Sequence, residues 1–231
     1  MRIFMTGDTH GDFRRVKNFC EIAETTKDDV LIILGDAGIN YYLNRNDELK
    51  KCEIDRLPIT LFCIHGNHEE RPYMIDSYHE STFLGGTVYI EDEHPNIIFA
   101  KDGEIYDINN HKTIVIGGAY SVDKSYRLAM GYRWFETEQP NDEIKAYVES
   151  QLDTVDWNID FVLTHTTPFK YEPTEWFLEC IDQSTVDDST EKWLDTIEER
   201  LTYNKWFAGH FHGEKNIDKL QLMFTDYVEI L

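Results

Sequence analysis

The sequence predicts an α/β fold built on two β-sheets, and three observations lead there. The N-terminal third alternates short apolar runs with longer amphipathic segments, the pattern of βαβ units around a largely parallel sheet. The middle changes to a succession of short β runs, which asks for a second, antiparallel or mixed sheet. Side chains able to bind metals fall immediately after five of the apolar runs, where ligands sit in open α/β sheets.

Arg2–Thr6 reads as the first strand, and Phe13–Thr25 as a helix with Phe13, Val16, Cys20 and Ala23 on one side. Asp29–Leu34 and Ile59–Ile64 are apolar runs too short for helices, hence buried strands, with a helix expected over Tyr41–Ile54 between them. Thr87–Ile90, Ile97–Ala100, Glu104–Ile108 and Lys112–Ile116 follow as β runs, the last two joined across Asn109-Asn110. Tyr120–Pro140 has no period and reads as a long surface loop. Asn141 is placed to cap a helix reaching Asp153, and Asp160–Leu163 is a further strand. Asp188 with Glu191 three residues on has the form of a capping box, opening a helix whose stripe is Leu194, Ile197 and Leu201. Lys205–Ala208, Asn216–Asp218 and Leu220–Phe224 read as the remaining strands.

The 231 residues, against roughly 150 per domain, suggest one domain over 1–231, with insert loops around 120–140 and 169–188. Forty-four acidic residues against 22 basic ones give a net charge of −22, which disfavours general binding to nucleic acid or an anionic membrane. A phosphorylated substrate handled through metal ions stays compatible with that charge. No apolar run approaches the ~20 residues of a membrane span, and the opening residues are too brief for a secretory signal. Cys20, Cys52, Cys63 and Cys180 have no C-x-x-C spacing, so neither a zinc knuckle nor a dithiol is indicated. A soluble, reducing, cytoplasmic setting is the expectation.

The metal-capable residues are Asp8 and His10 in Gly7-Asp8-Thr9-His10-Gly11, Asp36 in Leu34-Gly35-Asp36, Asn67 and His68 in Gly66-Asn67-His68-Glu69, His165 after Phe161–Thr164, and His210 and His212 after Trp206–Gly209. Singly each is weak: Gly-Asp is ordinary turn chemistry, and a strand-end histidine is commonly a hydrogen-bonded core residue. Together they would require five unrelated accidents at the same end of successive strands. The set is carboxylate, amide and imidazole without thiolate, which suits Mn, Fe, Co, Ni or Zn. Seven donors exceed one four-coordinate zinc, and a shared carboxylate is the usual way to hold two cations ~3.5–4 Å apart. A two-metal hydrolytic centre is the physical reading.

In this order the motifs D-x-H, G-D, G-N-H-[DE], H and G-H-x-H resemble those of the calcineurin-like metallophosphoesterases, over residues 7 to 212. The resemblance implies a four-layered α/β/β/α sandwich of two mixed sheets flanked by helices. It implies two divalent ions, manganese ahead of Fe, Zn, Ni or Co. Asp8, His10 and His212 would hold one ion, Asn67, His165 and His210 the other, with Asp36 shared and His68 facing the scissile phosphate. The chemistry expected is in-line attack by a metal-bridging hydroxide, with His68 as proton donor to the leaving oxygen and no covalent phosphoenzyme.

The Ser/Thr phosphatase branch carries G-D-x-V-D-R-G at its middle motif, whereas Gly35-Asp36-Ala37-Gly38-Ile39-Asn40 departs after the aspartate. A basic phosphate contact must therefore come from elsewhere. Lys124, Arg127 and Arg133, interleaved with Tyr126, Tyr132 and Trp134, are candidates for a nucleotide-like substrate, and Arg71 is another. The stretch Tyr171–Asp188 can supply a lid through Trp176, Phe177 and Leu178, or bury them against the core or a partner. The sequence thus reads as a phosphoesterase of a small phosphorylated molecule, with a phosphoprotein phosphatase or a non-catalytic scaffold of the same fold as alternatives.

Overall fold

The computed structural model describes residues 1–231. The chain begins with β1 (Ile3–Thr6), α1 (Arg14–Ala23), β2 (Val30–Ile33), α2 (Arg45–Ile54), β3 (Thr60–Cys63), β4 (His79–Phe83), β5 (Gly86–Ile90) and β6 (Ile97–Ala100). It continues through β7 (Ile105–Ile108), β8 (His111–Ile116), α3 (Lys124–Met130), α4 (Asp142–Thr154), β9 (Phe161–Thr164) and α5 (Ser189–Arg200). β10 (Lys205–Ala208), β11 (Lys215–Ile217), β12 (Leu220–Leu222) and β13 (Val228–Ile230) complete it. One sheet has the order β13-β1-β2-β3-β6-β5-β4 and the other β11-β12-β10-β9-β8-β7.

Side-chain alternation along the strands builds three apolar layers. Ile3, Met5, Ile32 and Phe62 of the first sheet meet Val115, Leu163 and Phe207 of the second. On the far side of the first sheet Phe4, Leu31 and Ile33 pack with Val16 and Cys20 of α1 and Ile54 of α2. On the far side of the second, Ile114, Val162 and Trp206 pack with Val148 and Leu152 of α4 and Leu194 and Ile197 of α5. The architecture is therefore helices, sheet, sheet, helices, as the resemblance implied. β1, β2, β3 and β6 run parallel, as do β8, β9, β10 and β12. Their carboxyl ends consequently gather at one edge of each sheet, which is what positions the site.

Several local expectations hold. Asn141 Oδ1 accepts from Ile144 N at 2.9 Å, capping α4. Asn109 and Asn110 both take positive φ (52° and 66°), the left-handed pair a tight hairpin between β7 and β8 requires. Others need correction. The middle β runs do not share a second sheet: β4, β5 and β6 extend the first, because β6 pairs in parallel with β3, and only β7 and β8 belong to the second. Strands β4 and β13 escape sequence detection as sheet edges without continuous apolar runs: β13 has three residues, and β4 carries the polar run His79-Glu80-Ser81-Thr82. The second helix starts at Arg45, where Asn44 Oδ1 accepts from Asn46 N at 2.8 Å. Tyr120–Pro140 is not all loop, since α3 lies within it. Asp188 makes no capping bond; it pairs instead with Lys192 at 2.7 Å, and Ser189 N is met by Asp187. No helix is long and apolar enough to cross a membrane.

Candidate metal centre

The turns after β1, β2, β3, β9 and β10 bring the five motifs to the edge where the sheets meet. Gly35 shows why small residues flank them: it has φ of +92°, and a Cβ there would lie 2.1 Å from His165 Nδ1. Four of the motif residues take left-handed backbone themselves, His10 (φ 47°), Asp36 (48°), His210 (65°) and His212 (51°). Each such non-glycine costs ~1 kcal/mol or more, and strain of this kind gathers where geometry is dictated by function.

The side chains converge from both sheets. His10 Nε2 lies 2.8 Å from His212 Nε2, and Asp8 Oδ2 is 3.6 Å from the first and 3.3 Å from the second. Nitrogen and oxygen donors sharing one tetrahedral ion at ~2.1 Å stand roughly 3.4 Å apart, so this triangle has the right size. Asp36 Oδ2 is 3.7 Å from His10 Nδ1, 3.8 Å from His165 Nε2 and 4.0 Å from His68 Nε2. Asp8, Asp36 and His165 also offer donor atoms within 4.8 Å of one another, so Asp8 belongs to both groups while Asp36 reaches His10 and His165. The His210 ring lies 5.0 Å from that of His165.

Two details favour a cation here. Asp8 Oδ2 is buried without a hydrogen-bond partner, although Oδ1 accepts from His210 N at 2.9 Å. Leu34 O can only accept, so its 2.8 Å contact places an N–H on His165 Nδ1 and leaves Nε2 facing the site. Nε2 lies 2.8 Å from Asn67 Oδ1, while Asn67 Nδ2 donates to Ser121 Oγ at 2.9 Å. The pair sets an imidazole nitrogen and an amide oxygen, both metal-donor atoms, side by side. The donor set therefore fits divalent ions.

Electrostatics agree. Burial and the charge of Asp8 drive Asp36 well above the carboxylate range. Asp8 itself stays below that range against its burial, held there by His212, His165 and His10. Two carboxylates in so dry a place share their charge unequally until cations arrive. Burial pushes His210 down to about 3, and burial together with Arg127 pushes His68 down to about 2. Glu69, fully buried, is lifted to about 7 by burial and by Asp36. It accepts from Gly38 N at 3.0 Å and Gly66 N at 3.1 Å, tying two motif turns together.

Among the basic candidates only Arg127 reaches the site. Its Nη2 donates to His68 Nε2 at 3.3 Å, while Nε is held by both carboxylate oxygens of Asp123 at 2.8 Å. Lys124 stacks instead over the Trp134 ring, 3.8 Å from its centroid, and Arg133 is exposed. Arg71 is placed away from this cluster of donors. Its guanidinium is buried, pairs with Asp102, donates to Thr137 O at 2.8 Å and lines a separate cavity of about 230 Å³. A buried guanidinium needs a nearby anion, and Asp102 provides one from outside the motifs. Ser121 and Asp123 were not singled out by sequence. Their only signal was position, after the Gly117-Gly118 turn that ends β8 beside β9.

The site opens into a cleft of about 1110 Å³. Asp36, Asn67, His68, His210 and His212 form one end, and Phe169, Trp176, Phe177 and Leu178 of the 169–188 insert form a wall. Gly213 makes the junction, since a Cβ there would sit 2.5 Å from the Trp176 ring.

Comparison with known proteins bears on this arrangement. The family model of calcineurin-like phosphoesterases matches residues 1–214. No protein of curated function matches the chain in sequence. The crystal structure of TT1561 of Thermus thermophilus is similar at TM-score 0.53 and 11% identity, over 96% of this chain and 88% of that one. Another solved structure gives TM-score 0.51 and 15% identity, over 96% and 89%. Likeness at these identities concerns the fold; the motif residues and the match over 1–214 carry the assignment. This chain belongs to the calcineurin-like phosphoesterase family.

Proposed function

We propose that the chain is a two-metal phosphoester hydrolase acting on a small, nucleotide-like phosphorylated substrate. The observation that carries this reading is the convergence of seven nitrogen and oxygen donors, four of which line one cleft with His68, and the contact of Arg127 with His68. Asp8, His10 and His212 would hold one divalent ion, manganese first among candidates, and Asn67, His165 and His210 the other, with Asp36 between. When bound, the ions supply an activated water and neutralise phosphate oxygens.

The chain's own residues do the rest. Ser121 turns the Asn67 amide so that its oxygen faces His165. Asp123 fixes the Arg127 guanidinium beside His68, where Nη2 can meet a phosphate oxygen. The arriving phosphate takes over that arginine, and His68, relieved of the guanidinium and set beside an anion, takes up a proton from solvent on Nε2 that it can pass to the departing alcohol oxygen.

The test is a pair of initial rates with added Mn²⁺, on an aryl phosphate monoester and a bis-aryl diester. Hydrolysis of one or both supports the reading, and the faster of them sets the ester class. With two metals confirmed bound, no rate on either would overturn it.

A further inference from the structure

The cleft beyond the phosphate end has a composition of its own. None of its lining residues is lysine or arginine. Two of its carboxylates are already matched, Asp123 by Arg127 and Asp188 by Lys192 at 2.7 Å. Glu172 and Glu191 have no ion pair. Glu191 is the telling one: the residue is 5% exposed, and its Oε2 is buried without a hydrogen-bond partner. An unpaired buried acceptor is costly, so a donor brought by a ligand would be bound there with a gain. The walls add a shape. Phe177 and Phe211 are within 12° of parallel, with centroids 6.4 Å apart, and the Trp176 indole lies on Gly213 beside His212. Parallel faces of this kind select a flat ring rather than a tetrahedral ammonium.

We infer that the alcohol side of the substrate carries a guanine-type base, stacked on the Phe177 and Phe211 wall, with adjacent N–H groups donated to Glu191. Guanine alone among the common bases presents two neighbouring N–H donors, N1–H and the 2-amino group, to match a carboxylate. Adenine and cytosine set a ring acceptor beside their amino group, and uracil flanks its single N–H with carbonyls. This inference rests on the hydrolase reading for the phosphate end only; the base subsite is readable without it.

Titration calorimetry on the full chain with unphosphorylated nucleosides tests the subsite apart from catalysis. Guanosine is expected to bind at least about tenfold more tightly than adenosine, and choline not at all. Glu191→Gln should weaken guanosine about tenfold. Phe177→Ala, at a half-exposed wall position, should do so comparably and serves if the glutamine variant fails to fold. Equal binding of guanosine and adenosine, binding of choline, or guanosine affinity unchanged by either variant would overturn the inference. Guanosine binding without hydrolysis of any aryl phosphate would overturn the hydrolase reading and leave the base subsite standing.

Discussion

Asp36 joins the two halves of the site through one side chain. Its Oδ1 accepts the His68 backbone N–H at 2.8 Å, while Oδ2 stands between His10 and His165 at 3.7 and 3.8 Å. Asparagine at this position keeps the shape and removes the charge. Asp36→Asn is therefore expected to lose tight binding of at least one of two Mn²⁺ ions, counted by equilibrium dialysis; two ions retained at wild-type affinity would refute the shared role. Arg127 acts one contact further out, beside His68. Arg127→Ala should keep both metals yet lower kcat/KM on a phosphate ester by roughly 10²-fold, the scale of a lost transition-state contact. An unchanged rate would move the phosphate contact elsewhere. Both residues were legible as candidates, Asp36 from its motif and Arg127 from standing among aromatics in an acidic chain. Arg71 read equally well and is taken up by Asp102, since sequence gives no account of which anion a buried arginine will find.

At the scale of elements, strands of four residues announced themselves because they are buried on both faces and hence continuously apolar, as in Val30–Ile33. Edge strands have no such signal. Helix α5 illustrates a different limit. Leu194 and Ile197 on its stripe are buried as expected, but Glu191, which read as half of a capping box, is buried in the first turn at the cleft. Burial, with Glu172 and Asp188 nearby, lifts its carboxyl from 4.5 to about 7. The folded chain thus holds the proton more firmly than the unfolded one, so the stabilising contribution is complete below pH ~4.5 and disappears as pH rises through about 7. Urea unfolding at pH 4.5 and pH 8 should show Glu191→Gln losing part of this decline, on the order of 1–3 kcal/mol. An identical pH dependence in variant and wild type would show that Glu191 ionises as freely folded as unfolded.

The whole molecule is two sheets packed together, and the site exists only where their carboxyl ends coincide. His165 of one sheet touches Leu34 O of the other at 2.8 Å, and His212 reaches His10 at the same distance. Cations bound at this junction tie the sheets together and offset a net charge of −22. Mn²⁺ at a hundredfold excess over its Kd should add ~2.7 kcal/mol per site, raising Tm by roughly 5–10 °C, with the gain reversed by a chelator. No shift in a thermal melt would contradict binding at the junction. The sequence by itself determined the α/β class, the motif residues and their place at strand ends, because apolar periodicity and glycine-flanked polar turns are local signals. Tertiary structure alone decided that β4, β5 and β6 extend the first sheet, that Ser121 orients Asn67, and that Arg127 rather than Lys124, Arg133 or Arg71 meets His68. It alone left Glu191 unpartnered at the cleft. The physical reason is common to all four: strand partner, hydrogen-bond partner and counter-ion are chosen by proximity across long sequence separations, and a local pattern of residue types carries no record of that choice.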